Sequence, residues 1–184
     1  MNLRFPLKWL FLVIGVIALS FAAFVLGVRS GERRGAAVER SYQMGRALLE
    51  VANRPGELTE ELLEIDFDST VRNSGGVTIG PVAILHQTEA IAEKVIQLDV
   101  DLRSDGLSLD GLEAAIWQNS PSLVGSVLQT GQFQPAEIPD YVRRAEQRTV
   151  TFEGRNSVVK SERFEQNRNE IYRILNEYRR TKGR

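Results

Sequence analysis

Between Trp9 and Val28 stand twenty consecutive residues without a charge, WLFLVIGVIALSFAAFVLGV. A helix of that length, at ~1.5 Å per residue, matches the ~30 Å hydrocarbon layer of a bilayer. The sequence therefore predicts a single-pass transmembrane segment at 9–28, preceded by a short basic tail at 1–8. A cleavable signal peptide is the competing reading. Arg4 and Lys8 would be its positive start, Leu10 to Leu19 its apolar stretch, and Ser20 and Ala22 the small residues before a cut at Ala23. Such a cut would leave an apolar AFVLGV terminus, so the intact signal-anchor is the expectation. Arg4 and Lys8 stand on one side of the span and Arg29, Arg33, Arg34 and Arg40 on the other. The basic start tips this near balance towards a body on the extracytoplasmic side.

Ala23, Gly27, Gly31 and Gly35 recur at every fourth position and share one helix face. Small residues at that spacing let a second backbone come close, so this face is expected to pack against another helix. The expected partners are a lipid bilayer and either further copies of the chain or the subunits of a membrane complex.

Beyond the anchor, 29–56 reads as a juxtamembrane helix stopped by Pro55-Gly56. An acidic α+β domain is expected over 57–156. It opens with a short helix, Thr59 to Glu64. Alternation at Ile65, Phe67, Ser69 and Val71, the turn Asn73-Ser74-Gly75-Gly76 and the apolar run Val77 to Leu85 then predict a β-hairpin. Helical spacing returns over Gln87–Leu98. Two capped helices follow, one starting at Ser108 and the other at Ser120 with Pro121 in its first turn. Thr149 to Glu153 is a possible third strand. The last element, 157–184, is a basic amphipathic helix. The fold expected is thus a transmembrane helix followed by a small helix-rich α+β domain and a basic C-terminal helix.

Charge is divided unevenly along the chain. Residues 1–34 hold five basic and one acidic side chain, 35–142 hold six and seventeen, and 143–184 hold twelve and six. The middle is net −11 and the tail net +6. Phe164, Ile171, Ile174 and Tyr178 fall at heptad core positions in the tail, with Asn167 between them and Leu175 widening the stripe. That stripe is expected to bind an acidic, partly apolar protein surface, this chain's own or a partner's. The tail has no aromatic-rich basic face, which argues against nucleic acid.

The chain has no cysteine and one histidine, His86. Thiol catalysis, disulfides and cysteine-bound or multi-histidine metal sites are excluded. Asp66-Phe67-Asp68-Ser69-Thr70-Val71 resembles the opening motif of the haloacid-dehalogenase-type phosphatases, in which a first aspartate attacks phosphorus and a second manages a proton. The resemblance covers six residues. The later lysine followed by a further aspartate pair that it implies is not found, since no aspartate follows Asp140 and the only lysines beyond it are Lys160 and Lys182. Asp99, Asp101, Asp105 and Asp110 have the clustering of a calcium loop, but Arg103 and Leu112 occupy ligand places. Gly75, Gly76 and Gly80 lack the Lys-Ser/Thr of a phosphate loop. No cofactor or metal is expected. The function expected is a non-catalytic interaction or assembly component, and the alternative is an enzyme with a dispersed carboxylate site near Asp66 and Asp68.

Overall fold

The computed structural model describes residues 7–104, 109–143 and 162–183, with the side chains of 7–18, Val25 and Arg29 outside the description. Its elements are α1 (Leu7–Ala52), α2 (Glu60–Leu63), α3 (Ile79–His86), α4 (Glu89–Gln97), α5 (Gly111–Trp117), α6 (Pro121–Gln129), α7 (helical residues 138–143) and α8 (Glu162–Lys182). The chain divides into two compact units, Met1–Ser41 and Tyr42–Arg184.

The first unit is helical from Leu7 onward. No proline falls between Pro6 and Pro55, so nothing interrupts the backbone hydrogen-bond ladder of α1. Among the described residues no helix is long and apolar enough to cross a membrane. This corrects the single-pass anchor, and the expected extracytoplasmic body falls with it. The first half of the expected span, Trp9 to Ala18, has side chains outside the described residues.

The second unit is built around α3, whose residues Ile79 to Ile84 are all buried. α4 and α5 pack on α3, α6 packs on both α4 and α5, α2 packs on α4, and α8 packs on α6. The core joins Leu48, Leu49 and Ala52 of α1 to Val95, Leu112, Val124, Val127, Phe133, Ile171 and Leu175. There is no strand among the described residues, so the expected β-hairpin and the α+β class are corrected. An apolar run of this length suits a strand or a fully buried helix, and period alone does not separate them. Ile79 to Ile84 is enclosed on every side, which a half-exposed strand does not require. Pro81 is compatible with a helix because it sits in the first turn, where the N–H would have no partner within the helix. The third strand, Thr149 to Glu153, lies outside the described residues.

The Asn73–Gly76 turn does form. Asn73 Oδ1 accepts the amides of Gly75 and Val77 at 2.9 and 3.0 Å, and Gly76 takes φ +74°. It leads into α3 instead of into a return strand. Gly45 is needed where α1 meets the preceding segment. A Cβ there would lie 2.6 Å from the Asp68 carbonyl oxygen and 2.9 Å from Val71 Cγ2.

Candidate interaction surfaces and polar clusters

In the first unit the described side chains of α1 from Leu19 to Arg40 are exposed. Phe21, Phe24 and Leu26 are 67–68% exposed, Val38 is 66%, Leu19 is 74% and Val28 is 44%. The small residues Ala23, Gly27, Gly31 and Gly35 are likewise exposed. A Cβ built on any of the three glycines would meet nothing within 4 Å. Among the described residues no side chain comes within 4 Å of a Cβ at those glycines.

The tail is used differently. Ile171 and Leu175 are buried, and Phe164, Ile174 and Tyr178 are half-buried. Three hydrogen bonds hold α8 in place. Asn119 Nδ2 donates to the Phe164 carbonyl at 3.1 Å, Asn167 Nδ2 donates to the Asn119 carbonyl at 2.9 Å, and the Tyr178 hydroxyl donates to the Phe133 carbonyl at 2.8 Å. Asn119 adopts φ +53°, a conformation that asparagine tolerates better than most residues. The predicted stripe therefore docks on this chain's own helices. Its outer face carries Arg173, held between Glu170 at 2.7 Å and Glu177 at 2.9 Å. The Glu170 carboxyl is held below its ordinary range by Arg173.

A cavity of about 580 Å³ opens between α6 and α8, lined by Leu128, Phe133 and Ile174 together with Glu177, Tyr178 and Lys182. Its hydroxyl and carboxylate already have partners, Phe133 for Tyr178 and Arg173 for Glu177. A second, of about 560 Å³, lies beside the α5–α6 connection and the start of α8, with Trp117, Ser120 and Phe164 in its lining. Ser120 there caps α6 and also donates to Glu89 at 2.7 Å.

The carboxylates named from the sequence do not converge on a reaction centre. Asp66 is exposed. Asp68 is engaged locally, accepting the Thr70 hydroxyl at 2.6 Å and its amide at 3.0 Å. Those bonds, the hydroxyl first, hold its carboxyl below the ordinary range. His86 ends α3 and is exposed. Asp101 pairs with Arg72, and its second oxygen accepts the Arg103 amide at 2.9 Å. Asp99 is exposed with φ +54°, and Asp105 lies outside the described residues. Among the described residues no group of three or more His, Cys, Asp or Glu could hold a metal ion.

The strongest polar cluster is one that the sequence did not disclose. Arg103 grips Glu137 with two parallel hydrogen bonds, at 2.7 and 3.0 Å, and also donates to the Tyr141 hydroxyl oxygen at 3.2 Å. Its guanidinium lies 5.0 Å from the centre of the Phe133 ring, a cation–π distance. Tyr141 meets Phe133 edge to face and donates to Asp110 at 2.6 Å. The hydrogen bond to Glu137 raises the Arg103 pKa, and burial first and then Asp110 raise that of Tyr141. The network ties α5 and α7 to the segment around Arg103. Its hydrogen-bonded pairs lie 31 to 38 residues apart in sequence, and no local spacing signals such pairs.

Comparison with known proteins gives no guide to the site. No family model matches the chain, and neither a curated protein nor a solved structure matches it.

Proposed function

We propose that the chain is a non-catalytic assembly component that associates with further copies of itself through α1. One observation carries this reading: between Phe21 and Val38 a helix leaves Phe21, Phe24 and Val38 about two-thirds exposed and Val28 44% exposed. Isolated exposed apolar side chains are ordinary, but a contiguous set on one element marks a contact surface. The tail supports the same choice by contrast, since its buried Ile171 and Leu175 are already spent on the chain's own core.

The enzyme alternative near Asp66 and Asp68 has less behind it. Asp68 is committed to the Thr70 turn, and in the larger cavity Glu177 is paired with Arg173 and Tyr178 with the Phe133 carbonyl.

Sedimentation equilibrium of the full chain across a wide concentration range tests the proposal. The expectation is a concentration-dependent oligomer that the double variant Phe24→Ser, Val28→Ser dissociates. A monomer at every concentration overturns it. So does a monomer taken up intact by phosphatidylcholine vesicles, because the apolar surface would then have lipid as its partner.

A further inference from the structure

We infer that the self-association is a parallel, in-register pairing of α1 with α1 of a second copy, along a seam that shares Gly31 and Gly35 with the small-residue face but leaves Ala23 and Gly27 outside it. The inference rests on the reading above and adds partner, orientation and register to it. Within α1, Phe21, Phe24, Val28, Gly31, Gly35 and Val38 follow the alternating three- and four-residue steps of the core positions a and d in a coiled coil. Their four large side chains are all exposed, at 44–68%. The two glycines thin the middle of the seam, and a Cβ at either would meet nothing within 4 Å, so that place is open to a second helix. Leu19 and Leu26 fall at the outward position f, and Ala23 and Gly27 at c and g.

The charges select the orientation. Between Leu19 and Arg40 the acids are Glu32 and Glu39, and in this register both fall at e, while Arg34 falls at g. In a parallel pair, g of one helix faces the e position five residues later on the other, which sets Arg34 against Glu39 of the second copy, twice by symmetry. An antiparallel pair would set e against e, glutamate against glutamate. Flanking e and g charges choose partner and orientation in just this manner. Residues 33 and 40, both arginine, lie at f, away from the seam.

The absence of cysteine from the chain makes the test clean. Val38→Cys should form an intermolecular disulfide rapidly under mild oxidation, because a parallel pair brings the two residues 38 within bonding reach, and Arg33→Cys should not. Glu39→Arg should weaken association about fivefold, as expected when two exposed ion pairs are lost, and adding Arg34→Glu should restore it. Gly27→Ile should be tolerated. If the chain associates but Val38→Cys and Arg33→Cys cross-link equally, or the charge swap fails to restore, the register is wrong while self-association stands. If Gly27→Ile dissociates the oligomer and Phe24→Ser does not, the seam is the small-residue face and this inference falls. A wild-type monomer removes both readings together.

Discussion

The Tyr141 hydroxyl donates to Asp110 Oδ2 at 2.6 Å, while Asp110 Oδ1 accepts the amide of Glu113 and so caps α5. One buried carboxylate thus joins the start of α5 to α7, and its two oxygens are both in use. The burial of Asp110 is tolerable because each oxygen has a donor, the condition under which buried charge is ordinarily found.

That pairing makes stability sensitive to alkali. Burial and then the bond to Asp110 push the Tyr141 pKa above its ordinary 10.0. The unfolded chain loses this proton near pH 10 while the folded chain keeps it, so the unfolded state binds fewer protons as pH rises further. Stability falls over that window, by up to about 1.4 kcal/mol per pH unit. Urea denaturation of the wild type and of Tyr141→Phe should show the variant about 1–2 kcal/mol weaker at pH 7 and losing less stability above pH 10. Parallel pH profiles would contradict the assignment.

The docking of α8 predicts that the tail is integral to the second unit. Leu175→Ala should cost about 2–5 kcal/mol and Ile171→Asp more, since one leaves a cavity and the other buries an uncompensated charge. Tyr178→Phe removes a single hydrogen bond and should cost about 1 kcal/mol. Thermal unfolding followed by circular dichroism measures all three. A Leu175→Ala chain as stable as the wild type would detach α8 from the core.

Glycines in the same helix should respond in opposite ways to alanine. Gly45→Ala forces a Cβ against the Asp68 carbonyl and Val71, and should destabilise by about 1–3 kcal/mol. Gly27→Ala meets nothing within 4 Å and should stabilise the helix by up to about 1 kcal/mol, through propensity alone. Denaturant midpoints read the first, and helical ellipticity on heating reads the second.

Gln132 bridges an extended segment as a neighbouring strand would. Its side-chain oxygen accepts the Leu102 amide at 2.8 Å and its nitrogen donates to the Val100 carbonyl at 2.9 Å. Gln132→Leu keeps the bulk but leaves a buried amide and a buried carbonyl unsatisfied, which should cost about 2–4 kcal/mol. Hydrogen exchange at Leu102 should accelerate accordingly; unchanged protection would show that the bridge is dispensable.

What the sequence made legible follows the reach of its signals. Ser120 and Pro121 stand at the cap and first turn of α6 as their chemistry requires, and the α4 and α8 periodicities correspond to helices packed on one face. α5 starts at Gly111 with Asp110 as its cap instead of Ser108, because Asp110 lies next to the first helical residue and its oxygen reaches the Glu113 amide. The hairpin failed for a different reason. Alternation over Ile65 to Val71 and the Asn73–Gly76 turn are both real local features, yet neither reveals that the next run would be enclosed by α4 and α5. The apolar start of the chain predicts a membrane anchor, and among the described residues no helix is long and apolar enough to be one. The Arg103–Glu137 and Tyr141–Asp110 pairs were invisible because partners so far apart have no periodic signature.

Gln87, at the end of α3, fastens the last turn of α1. Its Nε2 donates to the carbonyls of Ala52 and Arg54 at 3.1 and 2.6 Å, and its Oε1 accepts the Gly56 amide at 3.2 Å. Because these three bonds meet on one side chain, removing that side chain removes all of them. Residues Leu48, Leu49 and Ala52 of the same helical stretch are seated in the core alongside them. A single substitution at Gln87 would therefore release two carbonyls and an amide around the end of α1 at once, leaving the apolar seating of Leu48, Leu49 and Ala52 to hold that end.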